Sequence, residues 1–206
     1  HGWQVVLALI ALWTMFWPSK RNGGLVLGFA LALWLSISME GLPLTVGFIA
    51  LLAWRWAVLL EQGDRLFWTL SSFLLTSTAL FSGSQGGLDI LINYCDAISP
   101  THLFACAAGA AIISPTIYFS PRLVWLRLTA LVTAGLIALF VMWFNAPQCL
   151  GSAFADIDPV VRDTWLVNVN EGLPIWHQPT REVINLFGGS ILVGLGCLSF
   201  IWLRRI

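Results

Sequence analysis

The sequence predicts an all-α fold, a polytopic transmembrane helical bundle of about seven spans, and three observations predict it. Hydrophobic residues fill 58% of the 206 positions and charged residues only 10%, against about 25% charged in a soluble domain whose surface faces water. The apolar residues gather into runs near the length of a membrane-crossing helix, roughly 17–25 residues. The twelve Trp and thirteen Phe, set against two Tyr, suit aromatic side chains anchored at lipid headgroups. A formal net charge of zero leaves no basic face for nucleic acid.

The spans follow in order. The first, Trp3 to Trp17, is short for a crossing and closes at Pro18 to Gly24, a run of Pro, charge and Gly that reads as a break. His1 opens the chain with no Met, no basic n-region and no cleavage pattern. The chain is therefore expected to be a piece of a larger membrane module, cut at both ends. The second span, Leu25 to Met39, ends at Glu40-Gly41-Leu42-Pro43, and the third, Leu44 to Leu60, ends at Glu61 to Arg65. Leu66 to Phe81 is the fourth, followed by a Gly/Ser-rich loop from Ser82 to Pro100. The fifth, Thr101 to Phe119, is closed by Ser120-Pro121-Arg122, and the sixth is Leu123 to Asn145. A long polar connection, Ala146 to Glu182, precedes the seventh, Val183 to Leu203. There Gly188, Gly189, Ser190, Gly194 and Gly196 offer a small-residue face for close packing.

The charges give an independent count, because cytoplasmic loops are enriched in Lys and Arg. Seven spans put Lys20, Arg21, Arg55, Arg65, Arg122, Arg127, Arg204 and Arg205 on one side, eight of the ten basic residues. Eight of the ten acidic residues fall on the other, with only Glu61 and Asp64 on the basic side. The expected topology is N-terminus out and C-terminus in, in a bacterial inner (plasma) membrane.

That topology gathers the unusual polar residues on the exterior face, in two long loops, and long loops on one face of a bundle are where function resides. In the second loop Asp158 and Pro159 read as N-cap and first helical residue. Val161, Trp165, Leu166, Val169 and Leu173 recur at helical spacing until Gly172 and Pro174 stop the pattern. This helix either lies amphipathically on the membrane surface or packs on the bundle as a lid that touches no substrate. Arg162 has the planar fork that fits phosphate oxygens; a salt bridge to Asp158 or Asp163 is the plainer role. In the first loop Ser99 and Pro100 start the fifth span, which sets His102 in its first turn and Asp96 beside it. A carboxylate beside an imidazole serves as base and orienter or as part of a metal site; alternatively Asp96 is a helix-terminal anion favoured by the macrodipole. Glu40 lies at the outer end of two spans, where an ionisable group faces the bundle interior or a wet cavity, or else is solvated in a tight turn. Cys95 and Cys149 both fall in exterior loops, where an oxidising compartment permits a disulfide, and are expected to pair. Cys106 and Cys197 lie inside spans as small apolar residues. No CxxC, HExxH, GxSxG or P-loop pattern occurs, so zincin, hydrolase and NTPase readings have no footing.

Six stretches carry a resemblance: His1-Gly2-Trp3-Gln4, Ser36 to Pro43, Tyr94-Cys95-Asp96, Pro147-Gln148-Cys149-Leu150, Asp158 to Trp165, and Glu171-Gly172-Leu173-Pro174. Together they resemble a family of bacterial inner-membrane proteins similar to GT-C superfamily glycosyltransferases, of the kind of the oligosaccharyltransferase catalytic subunit. The resemblance implies transfer of a sugar from a polyprenyl-phosphate-linked donor at the periplasmic face, often with a divalent metal such as Mg²⁺ or Mn²⁺. It makes Glu40, Asp96 and His1 catalytic candidates, places Arg162 on the lipid phosphate, and adds His102 and Glu171 as substrate-binding candidates. The first acidic loop of such enzymes lies upstream of His1, and no Trp-Trp-Asp-type acceptor motif is present, so the piece alone is expected to be inactive. Two other classes stand beside this one. A transporter or flippase for a lipid-linked or small-molecule substrate requires ionisable groups at mid-membrane depth and broken helices. A non-catalytic membrane scaffold would leave the acidic outer face as topology alone.

Overall fold

Apolar runs bounded by charge set most helix limits, and capping chemistry with close backbone approach sets where the second helix begins. The structure is a computed structural model that describes residues 2–84, 92–119, 122–150, 157–165, 179–181 and 183–184, for residue 162 the backbone alone. The described residues form seven α-helices: α1 (Gly2–Thr14), α2 (Lys20–Ile37), α3 (Leu42–Leu59), α4 (Gly63–Ser84), α5 (Pro100–Phe119), α6 (Val124–Asn145) and α7 (Pro159–Thr164). Helices α1 to α6 belong to one compact unit, residues 1–156, and α7 to a second, residues 157–206.

Helix α2 begins at Lys20, which corrects the reading of Pro18 to Gly24 as a continuous break. Ser19 is its N-cap, and the Ser19 hydroxyl accepts the N–H of Asn22 at 3.2 Å, satisfying one of the donors a helix start leaves orphaned. Gly23 and Gly24 lie inside the helix, and glycine stands there because the neighbours leave no room for a side chain. A Cβ on Gly23 would lie 2.9 Å from the Thr14 carbonyl oxygen, and one on Gly24 would lie 2.6 Å from that of Arg65. The turn between α2 and α3 is a 3-10 helix, Met39–Gly41, and Pro43 stands in the first turn of α3, where no N–H is required. The reversal from α3 to α4 is tighter still, with Leu60 (φ 55°) and Gln62 (φ 64°) both left-handed.

Helix α2 forms the spine of the bundle. Leu27, Leu31, Ala32 and Trp34 are buried against Leu66, Leu70 and Phe73 of α4 and Leu7 and Ala11 of α1. The α2–α4 approach is closest at Gly28, where a Cβ would meet the Thr69 carbonyl oxygen at 2.3 Å. Ser72 Oγ of α4 donates to the Leu25 carbonyl of α2 at 2.7 Å. Small residues that let backbones touch, with polar side chains bonded across, are how helices associate where lipid removes the hydrophobic drive. Helices α5 and α6 pair as a hairpin, and α3 packs against α4 and α6 through Leu52, Ala53, Trp56 and Ala57.

Among the described residues, four helices are long and apolar enough to cross a membrane: Met39–Leu59, α4, α5 and α6. Helix α1 is apolar but shorter. The most apolar of the four, α6, is the least buried, and the least apolar, α4, is the most buried. Val132, Leu136, Leu139, Phe140, Trp143 and Phe144 of α6 all point outward. A protein folded in water shows the opposite order and rarely exposes so large an apolar patch. The fold therefore defines a polytopic α-helical membrane protein. The seventh expected span, Val183 to Leu203, lies outside the described residues beyond Ile184.

Candidate functional site at the clamped end of the bundle

The alternating helices give the bundle two chemically distinct ends. At one end α1, α3 and α5 finish and α2, α4 and α6 begin, and it carries Lys20, Arg21, Arg55, Arg65, Arg122 and Arg127. At the other end α2, α4 and α6 finish and α3 and α5 begin, and it carries Glu40, Asp96 and His102.

The start of α5 and the end of α6 are fastened together at this second end. Asn93 Oδ1 accepts the backbone N–H of Thr101 at 3.2 Å and the Thr101 hydroxyl at 2.7 Å. Asn93 Nδ2 donates to the carbonyl of Asn145, the last residue of α6, at 3.4 Å. Cys95 and Cys149 form a disulfide with their Cα atoms 5.0 Å apart. Cys149 lies in a 3-10 turn, Pro147–Leu150, that continues from α6, and its N–H donates to the Ala146 carbonyl at 3.0 Å. One covalent and three hydrogen-bonded tethers thus hold the loop, and Asp96, exposed beside buried Cys95, is presented on a fixed support.

His102 is placed by Ser99. The Ser99 N–H donates to His102 Nδ1 at 3.3 Å, and the Ser99 hydroxyl lies 2.8 Å from the same nitrogen. This is one half of a capping box, with an imidazole standing where Glu or Gln is usual. Nδ1 is then the acceptor, so the neutral ring carries its proton on Nε2. Among the described residues His102 makes no ion pair with Asp96. The orienter expected from the sequence was Asp96; the structure supplies Ser99 instead, because the capping hydrogen bond is three residues away and already in register.

Glu40 is exposed in the 3-10 turn, and its N–H donates to the Ser38 hydroxyl at 3.2 Å. Beneath it Gly41 lies flat on the Trp34 indole, where a Cβ would come within 2.6 Å of Nε1. Trp34 Nε1, and Thr45 Oγ1 one turn into α3, are buried without a hydrogen-bond partner among the described residues. Buried polar atoms are nearly always partnered, so these two mark a point of polarity at the foot of Glu40. Sequence reading missed them, as it missed Asn93, because each acts through a partner brought near only by folding; Ser99 was foreseen as the helix start but not as the partner of the His102 ring.

An apolar groove of about 630 Å³ runs between α4 and α5, lined by Leu74, Thr78, Phe81, Leu103 and Ala107. Ser82 and Pro100 also line it, toward the end that carries the clamped loop. Ligand pockets commonly span ~300–1,000 Å³. The carboxylates are less organised: among the described residues no three His, Cys, Asp or Glu side chains are grouped to hold a metal ion. Among the described residues Glu40, Asp96 and His102 therefore do not make a Mg²⁺ or Mn²⁺ site by themselves. His1, Glu171 and the Arg162 side chain lie outside the described residues. Helix α7 starts where the sequence places it, with the Val160 N–H donating to Asp158 Oδ1 at 2.8 Å; the expected continuation past Trp165 lies outside the described residues.

Comparison with protein-family models, with curated proteins and with solved structures gives no match. The class rests on the fold: a helical membrane protein with one basic end and one disulfide-clamped end that bears carboxylates.

Proposed function

We propose that the chain forms part of a GT-C-type membrane glycosyltransferase that takes a sugar from a polyprenyl-phosphate-linked donor at the periplasmic face. The observation that carries this reading is the α4–α5 groove, whose outermost lining residue on α5, Pro100, follows directly on the fixed loop that presents Asp96. A donor of this kind is a long apolar chain with a polar head, and it calls for a dry slot that ends under polar groups. The isoprenoid chain occupies the groove, and Glu40 and Asp96 act at the level of the sugar. In the transfer the acceptor oxygen attacks the anomeric carbon, its bond to the phosphate oxygen breaks, and a carboxylate takes the acceptor proton as polyprenyl phosphate departs. In this reading seven spans place the N-terminus outside and the C-terminus inside, with the basic end toward the cytoplasm of a bacterial inner membrane.

The transporter reading asks for mid-membrane charge and broken helices. Among the described residues the two buried cations, Arg65 and Arg127, sit in the first turns of α4 and α6. Helix α5 runs unbroken through Pro115. Both observations favour the transferase.

The test uses the full-length protein in nanodiscs with a panel of polyprenyl-phosphate sugars, in Mg²⁺, Mn²⁺ or EDTA. Release of polyprenyl phosphate, lost in Asp96→Asn or Glu40→Gln, is the expected result. An intact donor across the panel, together with substrate counterflow in liposomes, would move the protein to the transporter class.

A further inference from the structure

The opposite, basic end holds a second polar feature. At the α3–α4 reversal a cavity of about 110 Å³ is lined by Lys20, Trp56, Leu60, Gly63, Asp64 and Ile117. It has room for several water molecules. Trp56 is 1% exposed, and its Nε1–H has no hydrogen-bond partner among the described residues. The missing side chain of Gly63 opens the space: a Cβ there would lie 2.9 Å from Trp56 Cδ1 and 3.4 Å from Nε1. The N–H edge of the indole is thus the edge turned to the Gly63 wall.

Orphaned polar atoms concentrate around this turn. Of the seven buried side-chain atoms without a partner among the described residues, four are Trp56 Nε1, Gln62 Oε1, Arg65 Nε and Arg127 Nε. Three of the four are donors, and Trp56 Nε1 is the one that lines the cavity. Arg127, 1% exposed, donates one N–H to the Trp56 carbonyl at 3.3 Å. Lys20 stands exposed at the rim. Against these cations Glu61 is already paired to Arg55 at 2.5 Å, which leaves exposed Asp64 as the opposing charge on the lining. The first turn of α4, twenty-two residues long, also faces here with the positive end of its dipole.

We propose that this cavity seats a phosphate group, carried by an anionic lipid headgroup or present as free phosphate. Trp56 Nε1–H and Lys20 donate to its oxygens. Basic pockets between membrane helices at headgroup depth favour this chemistry, and a seat here leaves the transfer chemistry at the other end untouched.

The test reconstitutes the full chain with phosphatidylglycerol or phosphatidylcholine and counts retained lipid by native mass spectrometry. A parallel arm adds inorganic phosphate and follows the Trp56 indole N–H in ¹⁵N-Trp spectra, assigned through Trp56→Phe. Selective retention of one phosphatidylglycerol, reduced about tenfold in Lys20→Gln and Trp56→Phe, upholds a lipid source. A Trp56 shift saturating with inorganic phosphate, with no lipid selectivity, upholds free phosphate. Equal retention of both lipids with a silent indole, or binding unmoved by Lys20→Gln, overturns the proposal and leaves the cavity to water. Lys20 is exposed, so Lys20→Gln stays informative even where Trp56→Phe fails to fold.

Discussion

The guanidinium of Arg65, third residue of α4, donates to the carbonyl of Thr14, last residue of α1, and reaches the Trp17 carbonyl at 2.6 Å. Arg127, at the start of α6, meets the Trp56 carbonyl near the end of α3 in the same manner. Each arginine closes the C-terminus of a neighbouring helix, where carbonyls lack intrahelical partners and the dipole is negative. Arg65→Ala would leave the Thr14 and Trp17 carbonyls without this donor, at a cost of about 3 kcal/mol. A clear fall in the unfolding midpoint in mild detergent is expected. A midpoint equal to that of the parent would show that water caps α1 just as well.

Gly28 sets the distance between α2 and α4. Gly28→Val should lower stability by roughly 1–3 kcal/mol, since the new atoms meet backbone that has nowhere to go. Gly47 in α3 is the control, because nothing lies within 4 Å of its built Cβ. Gly47→Ala should hold or raise the midpoint, by up to about 1 kcal/mol. Equal effects at the two sites would contradict the close α2–α4 contact.

The Cys95–Cys149 bond closes a loop of sequence separation 54. By the chain-entropy relation such a crosslink contributes about 4 kcal/mol. Treatment with a membrane-permeant reductant, or the Cys95→Ser, Cys149→Ser double variant, should lower the midpoint accordingly. The proposed transfer activity should fall with it, since Asp96 adjoins the bond. Full activity in the double variant would mean that Asn93 alone holds the loop.

Variants at His102 separate capping from the proposed substrate binding. His102→Gln keeps a side chain able to accept the Ser99 N–H, whereas His102→Ala loses it, a difference of about 1 kcal/mol. If the ring also donates from Nε2 to substrate, the Gln variant keeps its fold and loses affinity. A Gln variant that matches the parent in both stability and KM confines His102 to the helix start.

The crossing helices were legible because apolar runs bounded by charge leave little freedom: Gly63 to Ser84 and Val124 to Asn145 bracket the expected runs closely. Lys20 to Gly24 was not legible. Glycine beside charge looks like a break, and only the approach of α1 and α4 reveals why glycine stands there inside a helix. Arg65 and Arg127 counted in the sequence as basic-side charges that set topology. Their burial, at 2% and 1% exposure, depends on the helix ends they meet. At the candidate site the Ser99–Pro100 start was readable from its capping residues. The choice of Ser99 over Asp96 as the His102 partner was not, because both lie within a few residues. Cys95 and Cys149 were expected to pair only from their shared side of the membrane, and the structure joins them.

Helix α2 lies deepest in the bundle, yet it is not among the four helices apolar enough to cross alone. Its first turn holds Lys20, Arg21 and Asn22, and Arg21 rests 4.6 Å above the Trp68 ring of α4. A segment leaving the insertion machinery for lipid is sorted by its own apolarity, and α2 falls short when it stands alone. Packing against α1 and α4, which cover its apolar face, is expected to support its insertion. The glycine and apolar face that α2 buries in the finished protein is then also the surface by which, during biogenesis, the chain would enter the bilayer as a group of helices and not one at a time.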